Sequence, residues 1–480
     1  MKKILFIGAE ALPFAATGGL GDVLGSLPKA LADKAGDEVD IRVVMPLYDK
    51  IPENLRNQMQ FICSFTVPLS WRNLYCGVKS LQTGRVTYYF IDNEFYFKRG
   101  PLYGHFDDGE RYAYFCKAVL IMMSQLDFFP DILHAHDWQA ALSVVYLKRK
   151  FSFLPGYNGI KTVFTIHNIE YQGKYDFSIL GDVFNLDDGD RNTMEYGDCI
   201  NLMKGAIQCA DAVTTVSPRY ADEIKTQDFS HGLHYILREN EYKLRGILNG
   251  IDVDLYNPKT DPVISYNFTD RSLENKTANK LALQNEIGLP EKADTPLYSI
   301  ITRLASHKGV DLVKHIIGEF VSGNDVQLVV LGTGESEYES FFVNLEKSFP
   351  EKVRAIITYD RDLAKRIYAS SDMFIMPSKS EPCGLAQMIA SRYGTIPIVR
   401  ETGGLYDSIK PYWEEGKKLH GNGFTFANYN AHELLDRLRA ALWLYNNNKE
   451  NWKKLVRVAM KTDFSWNISA EKYLEMYNNL

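Results

Sequence analysis

The sequence predicts an α/β protein built from two doubly wound, Rossmann-like domains. Strand and helix patterns alternate almost throughout the chain, which indicates parallel sheets covered by helices. The second half repeats the alternation of the first with tighter spacing, and a polar stretch, Ile251–Asn275, suits a hinge between them. A chain of 480 residues also fits about two to three domains. We therefore expect two facing domains with ligands bound in the cleft, at the carboxyl ends of the strands.

The composition excludes several classes of protein. With 45% hydrophobic and 24% charged residues the chain matches an ordinary globular protein, and its formal charge of −6 without clustered cations argues against nucleic-acid binding. Six cysteines without C-x-x-C or zinc spacing indicate reduced thiols in a cytosol. The apolar run after Met1 is interrupted at Glu10, which favours a buried first strand over a signal peptide. No apolar run is long enough to span a membrane.

Each half supplies its own set of predicted elements. In the first half we predict strands at Lys3–Gly8, Val39–Met45, Asp131–Ala135, Lys161–Ile166 and Ala212–Val216, and helices at Asp22–Ala35, Gly109–Gln125 and Gln139–Lys150. An antiparallel insertion is predicted from Phe61–Val67, Tyr75–Leu81 and Val86–Ile91. In the second half the predicted strands are Leu297–Thr302, Val326–Leu331, Val353–Thr358, Met373–Pro377 and Thr395–Val399.

A glycine-rich segment, Thr17–Asp22, follows the first strand and precedes a helix. Paired glycines let a backbone approach a ligand closely, and the helix N-terminus offers free N–H groups to an anion. The segment does not match the dinucleotide fingerprint or the P-loop. A tight turn with Asp22 as the helix cap is an equally good interpretation of this segment alone.

Two histidine-containing motifs follow neighbouring strands. His134 and His136 share one face of a strand, so they could form half of a metal site, but no third ligand lies nearby in sequence. Asp137 is well placed to cap the next helix. His167 follows the next strand. A single histidine after a strand often has only a structural role, but the position of His167 level with Asp137 favours a role in a functional site.

The second half carries charged residues at strand ends. Arg303 and Lys308 follow the strand that ends at Thr302, where two cations make a credible clamp for a diphosphate, although solvated surface charges are common. Glu381 lies beside a helix predicted to open at Gly384, so a carboxylate adjoins backbone donors and suits sugar hydroxyls. Thr402–Leu405 offers a second helix N-terminus. Either segment could be a simple helix cap, but the recurrence of such segments at strand ends favours a ligand-binding site.

Taken together, these residues resemble the bacterial glycogen synthase and plant starch synthase family, whose members are retaining, ADP-glucose-using glucosyltransferases of GT-B fold. The resemblance covers essentially the whole chain. It is carried by Glu10, Thr17–Asp22, Asp107–Arg111, His134–Trp138, His167-Asn168, Tyr171–Gly173, Val216–Pro218, Ile247–Asp252, Arg303 with Lys308, Glu381–Leu385, Thr402–Leu405 and Asp463–Trp466.

The resemblance implies a role for each candidate residue. The catalytic group would be Glu381, Arg303, Lys308 and His167, with the two cations neutralising the departing ADP. Contacts to ADP-glucose would come from Thr17, Gly18, Gly19, Asp22, Asn168, Asn249, Gly332, Tyr359 (stacking on adenine), Cys383, Gly384, Leu385, Thr402 and Gly403. Glu10, Asp137, Trp138 and Tyr171 would line the cleft on the acceptor side.

The resemblance also implies the reaction and the domain layout. Glucose would pass to the O4 of a non-reducing end of glycogen, starch or a maltooligosaccharide, with the α configuration kept and without metal or other cofactor. Glu381 as covalent nucleophile and a front-face mechanism both remain open. The implied layout is an N-terminal domain over 1–250, a nucleotide-sugar domain over 251–460 and a final helix, 461–480, that returns to the first domain. The implied location is the cytoplasm, or a plastid stroma for a plant-like source.

One departure from the family pattern concerns donor binding. The family usually has lysine before Thr17-Gly18-Gly19, and that lysine contacts the donor; here the position is Ala16. The missing cation is expected to weaken diphosphate binding unless another group compensates.

Four rival interpretations can be tested. A related GT-B transferase would use UDP-glucose or another acceptor. A non-catalytic glucan-binding protein on the same scaffold would be expected to lack Arg303, Lys308 or Glu381, yet all three are present. A dehydrogenase is disfavoured by the missing dinucleotide fingerprint, and a phosphorylase would need a lysine-bound pyridoxal phosphate, for which no motif is found.

Overall fold

The chain folds into two compact units. In the computed structural model, which describes residues 1–416 and 418–480, unit 1 comprises residues 1–249 with 466–480 and unit 2 comprises residues 250–465. The chain therefore passes between the units at 249/250 and 465/466, whereas the sequence places the domain boundaries at 250/251 and 460/461. No helix in the described ranges is both long and apolar enough to cross a membrane.

Unit 1 carries a mixed sheet whose central strands are buried on both faces. Its strands are β1 (Lys2–Ile7), β2 (Val39–Pro46), β3 (Gln60–Leu69), β4 (Arg72–Thr83), β5 (Val86–Asp92), β6 (Ile132–His136), β7 (Lys161–Ile166), β8 (Lys174–Tyr175), β9 (Glu195–Tyr196), β10 (Cys199–Asn201), β11 (Ala212–Thr215) and β12 (Leu244–Gly246). Nine of them form one sheet in the order β12-β11-β7-β6-β1-β2-β5-β4-β3, and β8, β10 and β9 form a small second sheet. Ile4–Ile7 of β1 are fully buried, as expected for a strand covered on both sides.

The helices of unit 1 follow most of these strands. They are α1 (Gly19–Ala35), α2 (Glu53–Arg56), α3 (Glu94–Phe97), α4 (Asp108–Gln125), α5 (Asp137–Tyr146), α6 (Ile179–Asp182), α7 (Arg191–Met194), α8 (Leu202–Cys209), α9 (Pro218–Glu223) and α10 (His234–Glu239). The helix predicted over Gln139–Lys150 is shorter in the structure: α5 ends at Tyr146, and a π-helical turn follows over Leu147–Phe151.

The predicted antiparallel insertion belongs to the main sheet. β5 pairs in parallel with β2, while β4 pairs antiparallel with β5 and β3 antiparallel with β4. The hairpin of β3 and β4 therefore extends one edge of the nine-stranded sheet and supplies its antiparallel pairs, while the small sheet of β8, β10 and β9 is antiparallel throughout.

Unit 2 is a second parallel sheet covered by helices. Its strands are β13 (Leu297–Ile301), β14 (Gln327–Leu331), β15 (Val353–Ile356), β16 (Met373–Met376), β17 (Ile396–Arg400), β18 (Trp413–Glu415), β19 (Lys418–His420) and β20 (Phe424–Phe426). Its helices are α11 (Glu274–Glu286), α12 (Val310–Gly323), α13 (Ser336–Ser348), α14 (Arg361–Ser370), α15 (Ala386–Arg392), α16 (Gly403–Ser408), α17 (Ala431–Asn447) and α18 (Lys449–Lys461). The six-stranded sheet has the order β15-β14-β13-β16-β17-β20, and β18 pairs with β19.

The polar stretch Ile251–Asn275 lies within unit 2. It is irregular in structure as predicted, but Phe268 and Ile264 are buried in it and the buried carboxylate of Asp261 lies 3.4 Å from the ammonium of Lys365. The stretch is therefore a packed loop that precedes α11.

The last helix, α19 (Trp466–Asn478), belongs to unit 1. It packs beside α1, where Lys34 lies 3.1 Å from Glu471, and the hydroxyl of Tyr477 contacts a ring nitrogen of His134 at 2.7 Å. The chain thus returns to its first unit, and the expectation of an α/β protein with two Rossmann-like domains is confirmed.

In the nine-stranded and the six-stranded sheet there is one pair of neighbouring strands from which the chain continues in opposite directions along the sheet. In unit 1 this pair is β1 and β6, and in unit 2 it is β13 and β16. Loops after the paired strands separate at such a point and leave a crevice for a ligand. The segments after β1, β6, β13 and β16 are therefore where each unit is expected to bind ligands.

Candidate active site

The glycine-rich segment after β1 is organised by one buried carboxylate. The side chain of Glu10 accepts hydrogen bonds from the main-chain N–H of Thr17 at 2.7 Å, from the Thr17 hydroxyl at 2.6 Å and from the N–H of Gly18 at 3.2 Å. The Tyr103 hydroxyl donates a fourth at 2.7 Å. Four donors compensate the burial of the Glu10 carboxylate, so Glu10 holds the shape of the segment.

The outer surface of this segment is open. Ala16, Thr17, Gly18 and Gly19 are exposed, and a Cβ added to Gly18 or Gly19 would meet no atom within 4 Å. Internal packing therefore does not require glycine at these two positions, and the backbone there is open to an approaching ligand. Gly18 precedes α1 without a side-chain cap, which leaves the 17-residue helix with an accessible N-terminus for an anion.

Asp137 and His167 meet where β6 and β7 end side by side. The Asp137 carboxylate accepts the main-chain N–H of His167 at 2.8 Å, so the prediction that Asp137 caps the following helix is wrong. Asp137 has a φ of 58°, an uncommon conformation for a residue with a side chain, and burial raises its pKa to about 7. A strained, partly buried carboxylate with a raised pKa is typical of functional sites.

His134 and His136 do not form a metal site. Both nitrogens of buried His134 are paired, Nδ1 with the Tyr477 hydroxyl at 2.7 Å and Nε2 with the Thr165 hydroxyl at 2.6 Å. His136 instead contacts His167, with 2.9 Å between its Nδ1 and Nε2 of His167. Within the described residues no group of three potential ligands is close enough to hold a metal ion.

The other candidates in unit 1 vary in exposure. Trp138 packs edge-on against Tyr112, with 5.4 Å between ring centroids, whereas Tyr171 is exposed. The side-chain oxygen of Asn168 accepts the N–H of Glu170 at 3.0 Å and forms a local turn. Asn249 is buried, and in the described part of the chain its Oδ1 has no hydrogen-bond partner.

In unit 2 the segment after β13 lies against the segment after β16. A Cβ on Gly309, whose φ is 74°, would lie 2.1 Å from the Pro377 carbonyl oxygen, and the N–H of Lys379 donates to the His307 carbonyl at 2.9 Å. Only glycine at 309 permits this close approach. The contact brings Lys308 next to Glu381.

Lys308 and Glu381 form an ion pair. The ammonium of Lys308 lies 2.7 Å from Oε2 of Glu381, and the Ser378 hydroxyl donates to the same oxygen at 3.0 Å. No described residue pairs with Oε1 of Glu381. Exposed Arg303 contacts Nε2 of His307 at 3.1 Å through one guanidinium nitrogen. One oxygen of a buried carboxylate and two cations are therefore available at this edge of the sheet.

The segment Thr402–Leu405 supports Glu381 through its backbone. A Cβ on Gly403, with a φ of 44°, would lie 1.9 Å from the Glu381 carbonyl oxygen, and the N–H of Gly404 donates to that oxygen at 3.1 Å. The Gly404 N–H is thus already used within the protein, although this helix N-terminus was expected to offer its donors to a ligand. The helix after Cys383-Gly384-Leu385 begins at Ala386, and no described group accepts from the N–H of Gly384 or Leu385.

Two further donor-side candidates lie at neighbouring strand ends. Gly332 directly follows β14, and a Cβ there would lie 1.9 Å from the Thr302 carbonyl oxygen. Tyr359 follows β15 and is 82% exposed, so one face of its ring is open to a planar ligand.

Comparison with known proteins matches the chain from end to end. A family model described as starch synthase catalytic domain matches residues 3–239, and one described as glycosyl transferases group 1 matches residues 284–457. A glycogen synthase of Lactobacillus acidophilus is 48% identical over 480 residues, covering 100% of this chain and 99% of that protein. A glycogen synthase of Clostridium botulinum is 49% identical over 484 residues, again covering 100% of this chain and 99% of that protein. The chain belongs to the glycogen synthase family.

Solved structures agree with this family membership. The catalytic domain of starch synthase IV from Arabidopsis thaliana, bound to ADP and acarbose, matches with a TM-score of 0.91 and 36% identity over 100% of this chain and 99% of that one. Sucrose-phosphate synthase from Thermosynechococcus elongatus, at 17% identity and a TM-score of 0.62, shares the fold. This glycogen synthase family member is therefore a glycosyltransferase with a GT-B fold.

Proposed function

We propose that this glycosyltransferase moves glucose from ADP-glucose to the non-reducing end of an α-1,4-glucan and keeps the α configuration. The observation that carries the proposal is the 2.7 Å contact between Lys308 and Glu381. It places a cation suited to a departing diphosphate beside a carboxylate suited to sugar hydroxyls. Relatives named glycogen synthase, and a starch synthase structure that holds ADP and acarbose, support this choice of substrates.

Arg303 and Lys308 stabilise the leaving group. As the bond between glucose and the diphosphate breaks, negative charge grows on the β-phosphate, and fixed cations lower the energy of that state more than that of the bound donor. Arg303 is exposed, and a ligand can replace the contact to His307, the one hydrogen bond that its side chain makes in the described part of the chain. Lys308 is 21% exposed and shares its charge between Glu381 and the phosphate.

Glu381 binds and orients the transferred glucose. Its Oε2 is occupied by Lys308 and Ser378, so Oε1 is left to accept a sugar hydroxyl. A carboxylate whose charge is neutralised by a contacting ammonium is a weaker nucleophile. The ion pair therefore favours a front-face reaction, in which the departing phosphate takes the acceptor's proton, over a covalent intermediate on Glu381.

Unit 1 supplies its own set of proposed ligand contacts. The open N-terminus of α1 and the exposed backbone of Gly18 and Gly19 bind the diphosphate, and His167 contacts the transferred sugar. Asp137 and Tyr171 belong to the acceptor side. Burial lowers the pKa of His167 to about 3, so its ring is neutral and acts through hydrogen bonds.

The reaction as proposed requires no metal and no cofactor, because Arg303, Lys308 and a helix N-terminus supply the charge that a divalent ion supplies in many nucleotide-dependent enzymes. The proposed partners are ADP-glucose and glycogen, starch or a maltooligosaccharide. The proposed location is the cytoplasm.

An assay of ADP release tests the proposal. The protein is mixed with ADP-glucose and glycogen, and parallel reactions omit the glucan or replace the donor with UDP-glucose. We expect release that depends on glucan and a kcat/KM for ADP-glucose above that for UDP-glucose. Faster turnover of UDP-glucose would favour the related transferase instead, and no release with either donor would refute the activity.

A further inference from the structure

Two consecutive residues at the end of β6 hold His167. The Asp137 carboxylate accepts the main-chain N–H of His167 at 2.8 Å, and Nδ1 of His136 lies 2.9 Å from Nε2 of the His167 ring. His167 is itself partly exposed, and its Nδ1 has no hydrogen-bond partner in the described part of the chain. The ring thus has one nitrogen fixed by the protein and one available to a ligand.

The His136 side chain has no other hydrogen bond in the described residues. It is fully buried, its ring stacks on Phe6 at 5.6 Å between centroids, and the His134 ring lies 4.2 Å away. The buried Nε2 of His136 has no hydrogen-bond partner among the described groups. Because the one hydrogen bond that its ring makes within the described residues is to His167, the proton arrangement of the two rings must be considered together.

Both rings are neutral, since burial lowers the pKa of His136 well below its usual range and that of His167 to about 3. A hydrogen bond between neutral imidazoles needs one N–H and one lone pair, which allows two arrangements. If His167 donates, then His136 carries its proton on Nε2, and a buried N–H has no acceptor. If His136 donates, its Nε2 carries only a lone pair. An unpaired buried N–H is rarer in proteins than an unpaired acceptor, so the second arrangement is favoured.

We propose that His136 is a positioning residue that donates its Nδ1–H to Nε2 of His167 and so fixes His167 as the Nδ1–H tautomer. The exposed nitrogen of His167 then offers an N–H donor to a hydroxyl of the transferred sugar. The identity of this ligand depends on the proposed function, whereas the tautomer does not. His134, with both nitrogens bonded to Tyr477 and Thr165, holds the His136 ring in place.

The tautomer is measured directly by ¹⁵N NMR on the ligand-free, full-length protein labelled at histidine. The signals of His167 are assigned by their loss in a His167→Ala variant. We expect the Nδ1 of wild-type His167 to carry the proton and its Nε2 to have the shift of an unprotonated, hydrogen-bonded nitrogen. A proton on Nε2 would overturn the proposal whatever the enzyme's substrate, and this measurement needs no variant of His136.

A double-mutant comparison tests the consequence for turnover. His136→Phe keeps an aromatic ring against Phe6 but removes the donor, and we expect kcat/KM to fall about 10-fold. In the His167→Ala background the same change should cost almost nothing, because its effect acts through the His167 ring. An equal loss in both backgrounds would show that His136 only supports packing, and would overturn the proposal. Exposed His315 on α12, changed to Phe, is the control for removing an imidazole.

Discussion

Replacing Lys308 by Met separates the structural role of the Lys308–Glu381 pair from its catalytic role. The change keeps most of the aliphatic length of the side chain and removes the ammonium that lies 2.7 Å from Glu381. The Glu381 side chain is 8% exposed, and without the ammonium its carboxylate would keep the Ser378 hydroxyl as its one partner among the described residues. Leaving a buried group short of partners costs about 1–3 kcal/mol, and we expect a loss of free energy of unfolding in that range.

The expected catalytic loss is larger than the loss of stability. Removing a group that stabilises transition-state charge typically lowers kcat about 100- to 1,000-fold, or roughly 3–4 kcal/mol. Adding Glu381→Gln to Lys308→Met removes the unpaired charge. The double variant should therefore regain most of the lost stability, with a coupling energy of about 1–2 kcal/mol, but none of the activity.

Urea unfolding and steady-state kinetics with ADP-glucose measure the two effects on the same preparations. A stability loss in the double variant equal to the sum of the single losses would show that Lys308 and Glu381 do not interact in solution. A kcat/KM within about threefold of wild type in Lys308→Met would show that the ammonium does not stabilise the leaving group.

Three further predictions concern individual residues of unit 1 and unit 2. Ala16→Lys restores a cation on an exposed position and should lower the KM for the donor more than it changes kcat, as measured by steady-state kinetics. Asp137→Asn should raise the free energy of unfolding by about 2 kcal/mol at pH 8 but much less near pH 4. Because burial raises the folded-state pKa of Asp137 to about 7, its ionisation destabilises the folded protein as the pH rises from about 4 through 7, and asparagine does not ionise. Gly404→Ala should lower the melting temperature, since the added Cβ would lie 2.0 Å from the Cys383 carbonyl oxygen. Gly18→Ala is the matched comparison: its Cβ would meet no atom within 4 Å, so it should raise the donor KM without changing stability.

Each of these predictions has an outcome that contradicts it. An unchanged donor KM in Ala16→Lys would show that a lysine at position 16 does not contribute to donor binding. A pH-independent effect of Asp137→Asn would show that the carboxylate titrates normally. Equal melting temperatures for Gly404→Ala and Gly18→Ala would contradict the close packing of Gly404.

The parts of the site that follow strands could be predicted from the sequence, and the contacts that join them could not. Apolar runs such as Lys161–Ile166 define buried parallel strands, and polar residues just after strands, including His167, Arg303 and Glu381, are then expected at the carboxyl edge of a sheet. The local sequence pattern does not show which strand ends become neighbours in the folded sheet.

The missed contacts join residues far apart in the chain. Tyr103 donates to Glu10 across 93 positions, and Gly404 donates to the Glu381 carbonyl from a separate strand end. Asp137 has the position of a helix cap in sequence, but β7 lies beside it in the sheet and provides the main-chain N–H of His167 as a better-placed donor. Such competition between a local and a tertiary partner is settled only by the fold.

Glucosyl transfer from ADP-glucose with retention is tested most directly by following the reaction with ¹H NMR. The protein is incubated with ADP-glucose and a maltooligosaccharide, and the anomeric signals are recorded from the first turnovers. We expect a new internal α-1,4 signal that grows in step with free ADP. A β-anomeric product, or ADP that accumulates together with free glucose while the glucan stays the same length, would contradict it.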